Sequence, residues 1–335
     1  MSHHILVIGT GSVGKRHARN FHELGCTISC VDPRQDRLDE MVREGIPIKG
    51  GYTSAEEAMG EAHRFDGVVV ASPPCFHVDQ SISALNRGKP VLLEKPVSPD
   101  LDGALKLEQK VKGSGSPLLL GYTWRWWPSL KRVRKLLSAQ AVGPLRHVTF
   151  TMAAHLADWH PWERYQDFFM ASRQLGGGAL LDESHWLDLM LWYFGMPDSI
   201  FARVEKISEL EIDADDNVDM MVSYREKSLR VVLHLDLYRR PHEKSIHFVG
   251  REGTIVWEPN QIKVGKAMGA EWALETFPHE RNEMFVAVAR EFLDVLAGQP
   301  VQSCTIEDGV NVLRLVEAAR RSTIEGRSQA VAVKP

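Results

Sequence analysis

Lys95, Asp182 and His185 are the positions whose residue types and surroundings suit proton chemistry. An ammonium can stabilise negative charge developing on an oxygen, an imidazole can take or give a proton near neutral pH, and a nearby carboxylate can orient that imidazole. On one helix Asp182 and His185 share a face, as do His185 and Asp188, so either carboxylate is available for the task. Each group also has an uneventful reading. Glu94-Lys95-Pro96 can be a surface ion pair before a proline turn, and Asp182 with His185 can be a capping pair.

The elements that must carry Lys95 read as an open α/β sheet. Val91-Leu92-Leu93 is apolar without alternation, as in a strand covered on both faces, and it ends in Glu94 and Lys95. Ligands of such sheets sit beyond the carboxyl ends of the strands, and Pro96 restricts the backbone at Lys95, so the ammonium is aimed. Ile5 to Ile8 predicts the first strand, Gly9-Thr10-Gly11-Ser12-Val13-Gly14 a dinucleotide loop, and Val13 to Leu24 the helix that opens on a pyrophosphate. Here Gly9 makes the turn, Gly11 lets phosphate approach and Gly14 lets helix pack on strand.

Thr27 to Val31 predicts the next strand, ending at Asp32, whose carboxylate suits a ribose and favours NAD over NADP. Arg34 and Arg37 keep NADP open, since either can meet a phosphate if Asp32 turns away. After Gly67 to Ala71, Ser72-Pro73-Pro74 predicts a loop over the nucleotide and then a helix through His77, Ile82 and Leu85. Ser72 can bond to ribose or cap that helix; His77 can close the nicotinamide side or simply pack. Glu94 and Lys95 complete the expected cofactor contacts.

The boundary is placed near Tyr122, giving a dinucleotide domain at 1–121 and a substrate and oligomerisation domain at 122–335. Six of nine tryptophans fall between Trp124 and Trp186. Such rings can stack on sugar C–H faces, and Arg125 can hold a carboxylate, phosphate or hydroxyl array, although core packing explains most tryptophans. Lys131, Arg132, Arg134 and Lys135 form a basic helical surface, His160 and Tyr165 are candidate substrate-loop contacts, and Gly176-Gly177-Gly178 admits a tight approach before Asp182. His155, Asp158, His160, Asp182 and His185 do not make a recognised metal-ligand spacing, so no metal is expected. Strands at Leu145–Met152, Val218–Tyr224, Leu229–Leu237, Ser245–Val249 and Thr254–Trp257 are expected, with amphipathic helices near Glu283–Leu296 and Val310–Ile324.

Taken in order, Gly9 to Gly14, Ser72-Pro73, Glu94-Lys95-Pro96, Gly176-Gly177-Gly178, Asp182, His185 and Asp188 resemble the glucose-fructose oxidoreductase and myo-inositol dehydrogenase family over nearly the whole chain. The resemblance implies an α/β Rossmann domain followed by an α+β domain on a large, mostly antiparallel sheet that often forms an oligomer interface. It implies metal-free hydride transfer between nicotinamide and a secondary alcohol or ketone, with Asp182 and His185 joining Lys95 at the reacting alcohol, and a cis bond between Lys95 and Pro96. His185 follows Asp182 by three residues where the inositol dehydrogenase pattern has four, a rotation of about 100° on a helix, which argues against carrying inositol over as the substrate. The expected substrate is a sugar, cyclitol or sugar derivative, anionic and nucleotide-linked ones included. The competing functions are NAD-assisted glycoside cleavage or elimination through a transient keto-sugar, and a noncatalytic nucleotide sensor.

Composition bounds the rest. With 335 residues, 44% apolar and 25% charged, the chain can bury two cores, and a formal charge of −4 argues against nucleic acid as a partner. Cys26, Cys30, Cys75 and Cys304 lack the density of a disulfide scaffold, and no run spans a bilayer, so a cytoplasmic protein with no membrane partner is expected; the family resemblance implies that it is a homodimer or homotetramer.

Overall fold

Short apolar strands alternating with amphipathic helices build a parallel sheet in the first part of the computed structural model. The structure describes residues 2–159, 161, 163–266, 268–269, 271–278 and 280–331. Strands β1 (His4–Ile8), β2 (Thr27–Val31), β3 (Gly50–Tyr52), β4 (Gly67–Val70), β5 (Val91–Glu94) and β6 (Leu118–Gly121) are ordered β3-β2-β1-β4-β5-β6, all parallel. This is the doubly wound order, whose strand reversal lies beside β1. Val68, Val69, Val70, Leu92 and Leu93 are fully buried, which is why these runs show no polar alternation.

Helices α1 (Ser12–Glu23), α2 (Gln35–Arg43), α3 (Ala55–Gly60), α4 (His77–Leu85) and α5 (Leu101–Ser114) make the connections. The cap of α5 is legible in its residues. Gly103 N–H donates to the Asp100 carboxylate at 2.7 Å, a cap worth about 1 kcal/mol, and Gly115 ends the helix at φ +70°, where a side chain would be strained.

In the second part, α6 (Pro128–Ser138), α7 (Ala179–Asp182) and α8 (His185–Phe194) accompany β7 (Leu145–Ala153), β8 (Ser199–Glu205), β9 (Asn217–Tyr224), β10 (Leu229–Asp236), β11 (Glu243–Gly250), β12 (Thr254–Glu258), β13 (Gln261–Gly265), β14 (Ala273–Thr276) and β15 (Gln329–Ala330). The sheet runs β14-β13-β12-β11-β7-β10-β9-β8-β15, antiparallel throughout except between β7 and β10. Period-two alternation turns Val218, Met220 and Val222 of β9 inward and Asp219 and Met221 outward. Trp257 of β12 is fully buried, and its indole N–H donates to Ser129 Oγ of α6 at 2.8 Å. The Rossmann and mostly antiparallel α+β architecture is thus the one the family resemblance implies.

Contacts divide the chain into Met1–Thr123 with Glu280–Val310, and Trp124–His279 with Asn311–Pro335. The first unit therefore regains α9 (Arg281–Leu296), which a single cut near Tyr122 assigns to the second. Gly67 explains part of that return: a Cβ there would lie 2.9 Å from Phe292 of α9. Helix α10 (Ile306–Glu325) begins in the first unit and ends in the second.

One local prediction is altered. Asp182 and His185 do not ride one continuous helix, because α7 ends at Asp182 and α8 begins at His185. Ser184 N–H donates to Leu181 and Trp186 N–H to Glu183, three residues back instead of four, and the Trp186 indole N–H also donates to Glu183 at 3.1 Å. These bonds tighten the intervening turn.

Candidate functional site

In the first unit, the glycine loop has the backbone shape that a pyrophosphate needs. Gly9 has φ +89°, and a Cβ there would approach Ala71 O and Ser72 N to 2.7 Å; at Gly14 it would fall 1.8 Å from Gly9 O. At Gly11 a Cβ would meet only Arg37 Nη1, at 3.6 Å, so the loop is closed behind and open in front. Gly11 also N-caps α1 without a side-chain acceptor, leaving the first-turn N–H groups of Ser12, Val13 and Gly14 to an external anion. These residues fit a dinucleotide phosphate.

Asp32 is buried at the end of β2. Its carboxylate accepts from Thr10 N–H at 2.9 Å, Thr10 Oγ1–H at 2.8 Å and Arg34 N–H at 3.0 Å. The side chain expected at a ribose therefore also braces the glycine loop. Arg34 pairs with Asp36 at 2.6 Å, whereas the Arg37 guanidinium flanks Gly11.

Ser72 donates to Gln80 of α4 at 2.6 Å, and Pro73 leads into a short 3-10 turn. His77 is buried between two carbonyls, with Nδ1 2.7 Å from Pro96 O and Nε2 2.8 Å from Ser72 O. Burial holds its proton affinity below the ordinary histidine value. Glu94 is also buried, and its Oε1 lies 2.6 Å from His17 Nε2 of α1. Both ring edge and carboxylate thus face the interior of the unit, while Lys95 is half-buried and followed by the cis peptide bond to Pro96.

The second unit holds the other group of residues. Trp124 is buried and lies almost parallel to the His185 ring, with centroids 5.2 Å apart and planes at 11°. It meets Trp186 and Trp127 edge-on at 5.0 and 5.5 Å, and Lys244 Nζ stands 5.2 Å from its centroid. Trp127, Trp186 and Trp257 belong to the core, as packing predicts; Trp124 joins that core while fixing one face of His185.

Arg125, expected at an anionic substrate group, makes a buried ion pair with Asp188. Its Nη2 is 2.6 Å from Oδ1 and its Nε 2.9 Å from Oδ2. Asp188 thus pairs with Arg125, and Asp182 is the other carboxylate that the sequence offers to His185. Asp182 is buried at the end of α7, and His185 keeps intermediate exposure at the start of α8. Tyr165 lies in a short 3-10 turn and its hydroxyl accepts from Glu211 N–H at 3.2 Å; His160 lies outside the described residues. Of the basic helical surface, Arg132 pairs with Glu275 and Arg134 covers Trp192.

The glycine triplet earns its place on geometry. A Cβ at Gly177 would lie 2.4 Å from Met170 O, and one at Gly178, where φ is +104°, would lie 2.5 Å from Asp215 Oδ1. Asp215, absent from the sequence-based candidates, accepts from Leu180 N–H at 2.8 Å and so caps α7; burial raises its pKa. His17 was equally hidden, its one signal being its place one helical turn beyond Gly14. Among the described residues, no three His, Cys, Asp or Glu side chains are grouped to hold a metal, and no disulfide joins any of the four cysteines. No helix among them is long and apolar enough to cross a membrane.

Comparison with known proteins follows the same division. Residues 3–122 match the model of an oxidoreductase family with an NAD-binding Rossmann fold, and residues 130–256 match the GFO/IDH/MocA C-terminal domain. An uncharacterized oxidoreductase of Synechocystis is 26% identical over 219 residues, 64% of this chain and 57% of that protein, so the match spans little more than half of that relative. Myo-inositol 2-dehydrogenase of Thermotoga maritima is 25% identical over 96% of both chains. A solved levoglucosan dehydrogenase in complex with NADH shares the fold at TM-score 0.87 and 16% identity, covering all of both chains.

Proposed function

The chain belongs to the GFO/IDH/MocA oxidoreductase family, and from that premise we propose that it is an NAD(P)-dependent oxidoreductase interconverting a secondary alcohol and a ketone on a sugar, cyclitol or sugar derivative. The observation that carries the nucleotide part is the open Gly11 face at the uncapped start of α1. The names of relatives that act on inositol and levoglucosan support a polyol or sugar as the alcohol.

Bound nicotinamide supplies the hydride acceptor in one direction and the donor in the other. The chain's own task is the proton. His185 takes the hydroxyl proton during oxidation and returns it during reduction, Lys95 stabilises the alkoxide charge, and Asp182 orients the imidazole and offsets the charge it gains. Trp124 restricts the plane of the His185 ring by stacking against it. Asp32 favours NAD, while Arg37 beside Gly11 is the group to which an added phosphate would turn in NADP.

The test is a panel of sugars, cyclitols and sugar nucleotides incubated with NAD and with NADP. The reading expects one ketone formed for each reduced nicotinamide and a preference for NAD. Bond cleavage without accumulation of reduced cofactor, or tight nucleotide binding with no turnover on any member, would contradict it.

A further inference from the structure

Two imidazoles from two helices hold the residues on either side of Lys95. Before it, Glu94 Oε1 lies 2.6 Å from His17 Nε2 of α1; after it, Pro96 O lies 2.7 Å from His77 Nδ1 of α4. The second nitrogen of His77 continues to Ser72 O at 2.8 Å, so one ring joins the turn after β4 to the turn after β5. We propose that His17 and His77 are positioning residues that fix where the Lys95 ammonium stands, a proposal that rests on the reading of Lys95 as catalytic.

Packing alone does not account for either ring. His17 is fully buried among apolar neighbours, with Phe285 edge-on at 5.7 Å and Phe21 at 6.4 Å, a setting that a phenylalanine or leucine would fill. Its Nδ1 is buried without a hydrogen-bond partner, so the ring tolerates an unmet polar atom and makes its one bond to Glu94. An unmet buried polar group is destabilising, a cost that an apolar ring would avoid. Gly121 makes room for the same arrangement: a Cβ there would come within 3.0 Å of Glu94 Oε1.

His77 faces two acceptors and can donate to both only as an imidazolium; the neutral ring serves one carbonyl at a time. Burial is the strongest influence on its charge and opposes it, as does Lys95, whereas the Pro96 and Ser72 carbonyls and then Glu94 favour it. With a proton on Nδ1 the ring holds Pro96 O, which cannot shift without breaking that bond. The result is a lysine whose neighbours are tied to the helix that opens on phosphate and to the helix behind the Ser72 turn. A displacement of about 1 Å at a reacting group can cost on the order of 100-fold in rate, so restraint of this kind has catalytic consequence.

The test reads Lys95 directly in the full chain. Lysines are reductively methylated with carbon-13, the Lys95 resonance is assigned by its absence in Lys95→Arg, and spectra are recorded with NADH bound. In His17→Leu and His77→Leu the resonance is expected to move toward the exposed-lysine position, with the NADH Kd changed by no more than about threefold. His17→Gln, which can restore a donor at the Nε2 position, and His77→Asn, which can restore one at Nδ1, are expected to bring it back; His17→Asn and His77→Gln are not. An unchanged Lys95 resonance in both leucine variants overturns the proposal. If those variants do not fold, identical resonances within each Gln/Asn pair overturn it. Turnover by Lys95→Ala separates the premise: wild-type rates there would refute the catalytic reading whatever the resonance shows, whereas a dead Lys95→Ala with unmoved resonances would refute the positioning alone.

Discussion

Asp188→Ala removes the carboxylate that compensates a buried guanidinium. The Arg125 side chain is 5% exposed and that of Asp188 0%, and the pair meets through Nη2–Oδ1 at 2.6 Å and Nε–Oδ2 at 2.9 Å. Taking one partner away breaks this buried pair, which costs about 3–5 kcal/mol. Replacing both residues with apolar side chains of similar size, Arg125→Met with Asp188→Leu, is expected to recover most of that loss, because burying two charges nearly cancels what their attraction returns. All nine tryptophans fall within residues 124–279, in the second unit, so tryptophan fluorescence during urea unfolding reports that unit without relying on two-state behaviour of the whole chain. The single variant should also lose turnover, since Arg125 follows Trp124 and Asp188 lies one turn beyond His185, the two rings that stack. A loss below about 1 kcal/mol in Asp188→Ala, in the range of a surface pair, would refute the reasoning and return Arg125 to the substrate candidates.

Asp32→Ala removes the acceptor of three hydrogen bonds and should weaken NAD binding by about 10–100-fold while narrowing the preference over NADP, measured by titration with each nucleotide. Gly14→Ala puts a Cβ 1.8 Å from Gly9 O and should abolish NADH binding while leaving the fluorescence transition of the second unit in place. pH acts oppositely through two histidines. His77 is depressed by burial, so its stabilising contribution is full above its ordinary 6.5 and is lost as pH falls below that value; amide exchange in β4 and β5 should speed up there, less so in His77→Asn. His234 is raised by its bonds to Asp236 and Asp219, so its contribution is full below 6.5 and is lost as pH rises through the elevated value, which the difference in fluorescence unfolding between wild type and His234→Gln should follow.

The nucleotide half was legible because its signals are local. A strand that ends in Gly9 to Gly14 and Val91 to Glu94 that ends at Lys95 declare themselves by period, glycine spacing and a break into charge. The partners of buried polar groups were not legible. Nothing in the spacing of Arg125 and Asp188, 63 positions apart, or of His17 and Glu94, 77 apart, says that they meet; only the tertiary fold does. The break between α7 and α8 escaped for a related reason, since the bonds that tighten it run through Glu183 and the Trp186 indole, neither of which is a helix breaker. The return of α9 to the first unit depends on Gly67 leaving room for Phe292, a contact across 225 residues.

The central claim is that Lys95 and His185 manage the proton of an alcohol oxidised by bound nicotinamide. It is tested most directly by turnover of Lys95→Ala and His185→Ala on the best alcohol of the panel, alongside NADH affinity. The account predicts kcat lower by about 100-fold or more in each variant with NADH Kd within about threefold of wild type. Wild-type kcat in either variant would contradict it.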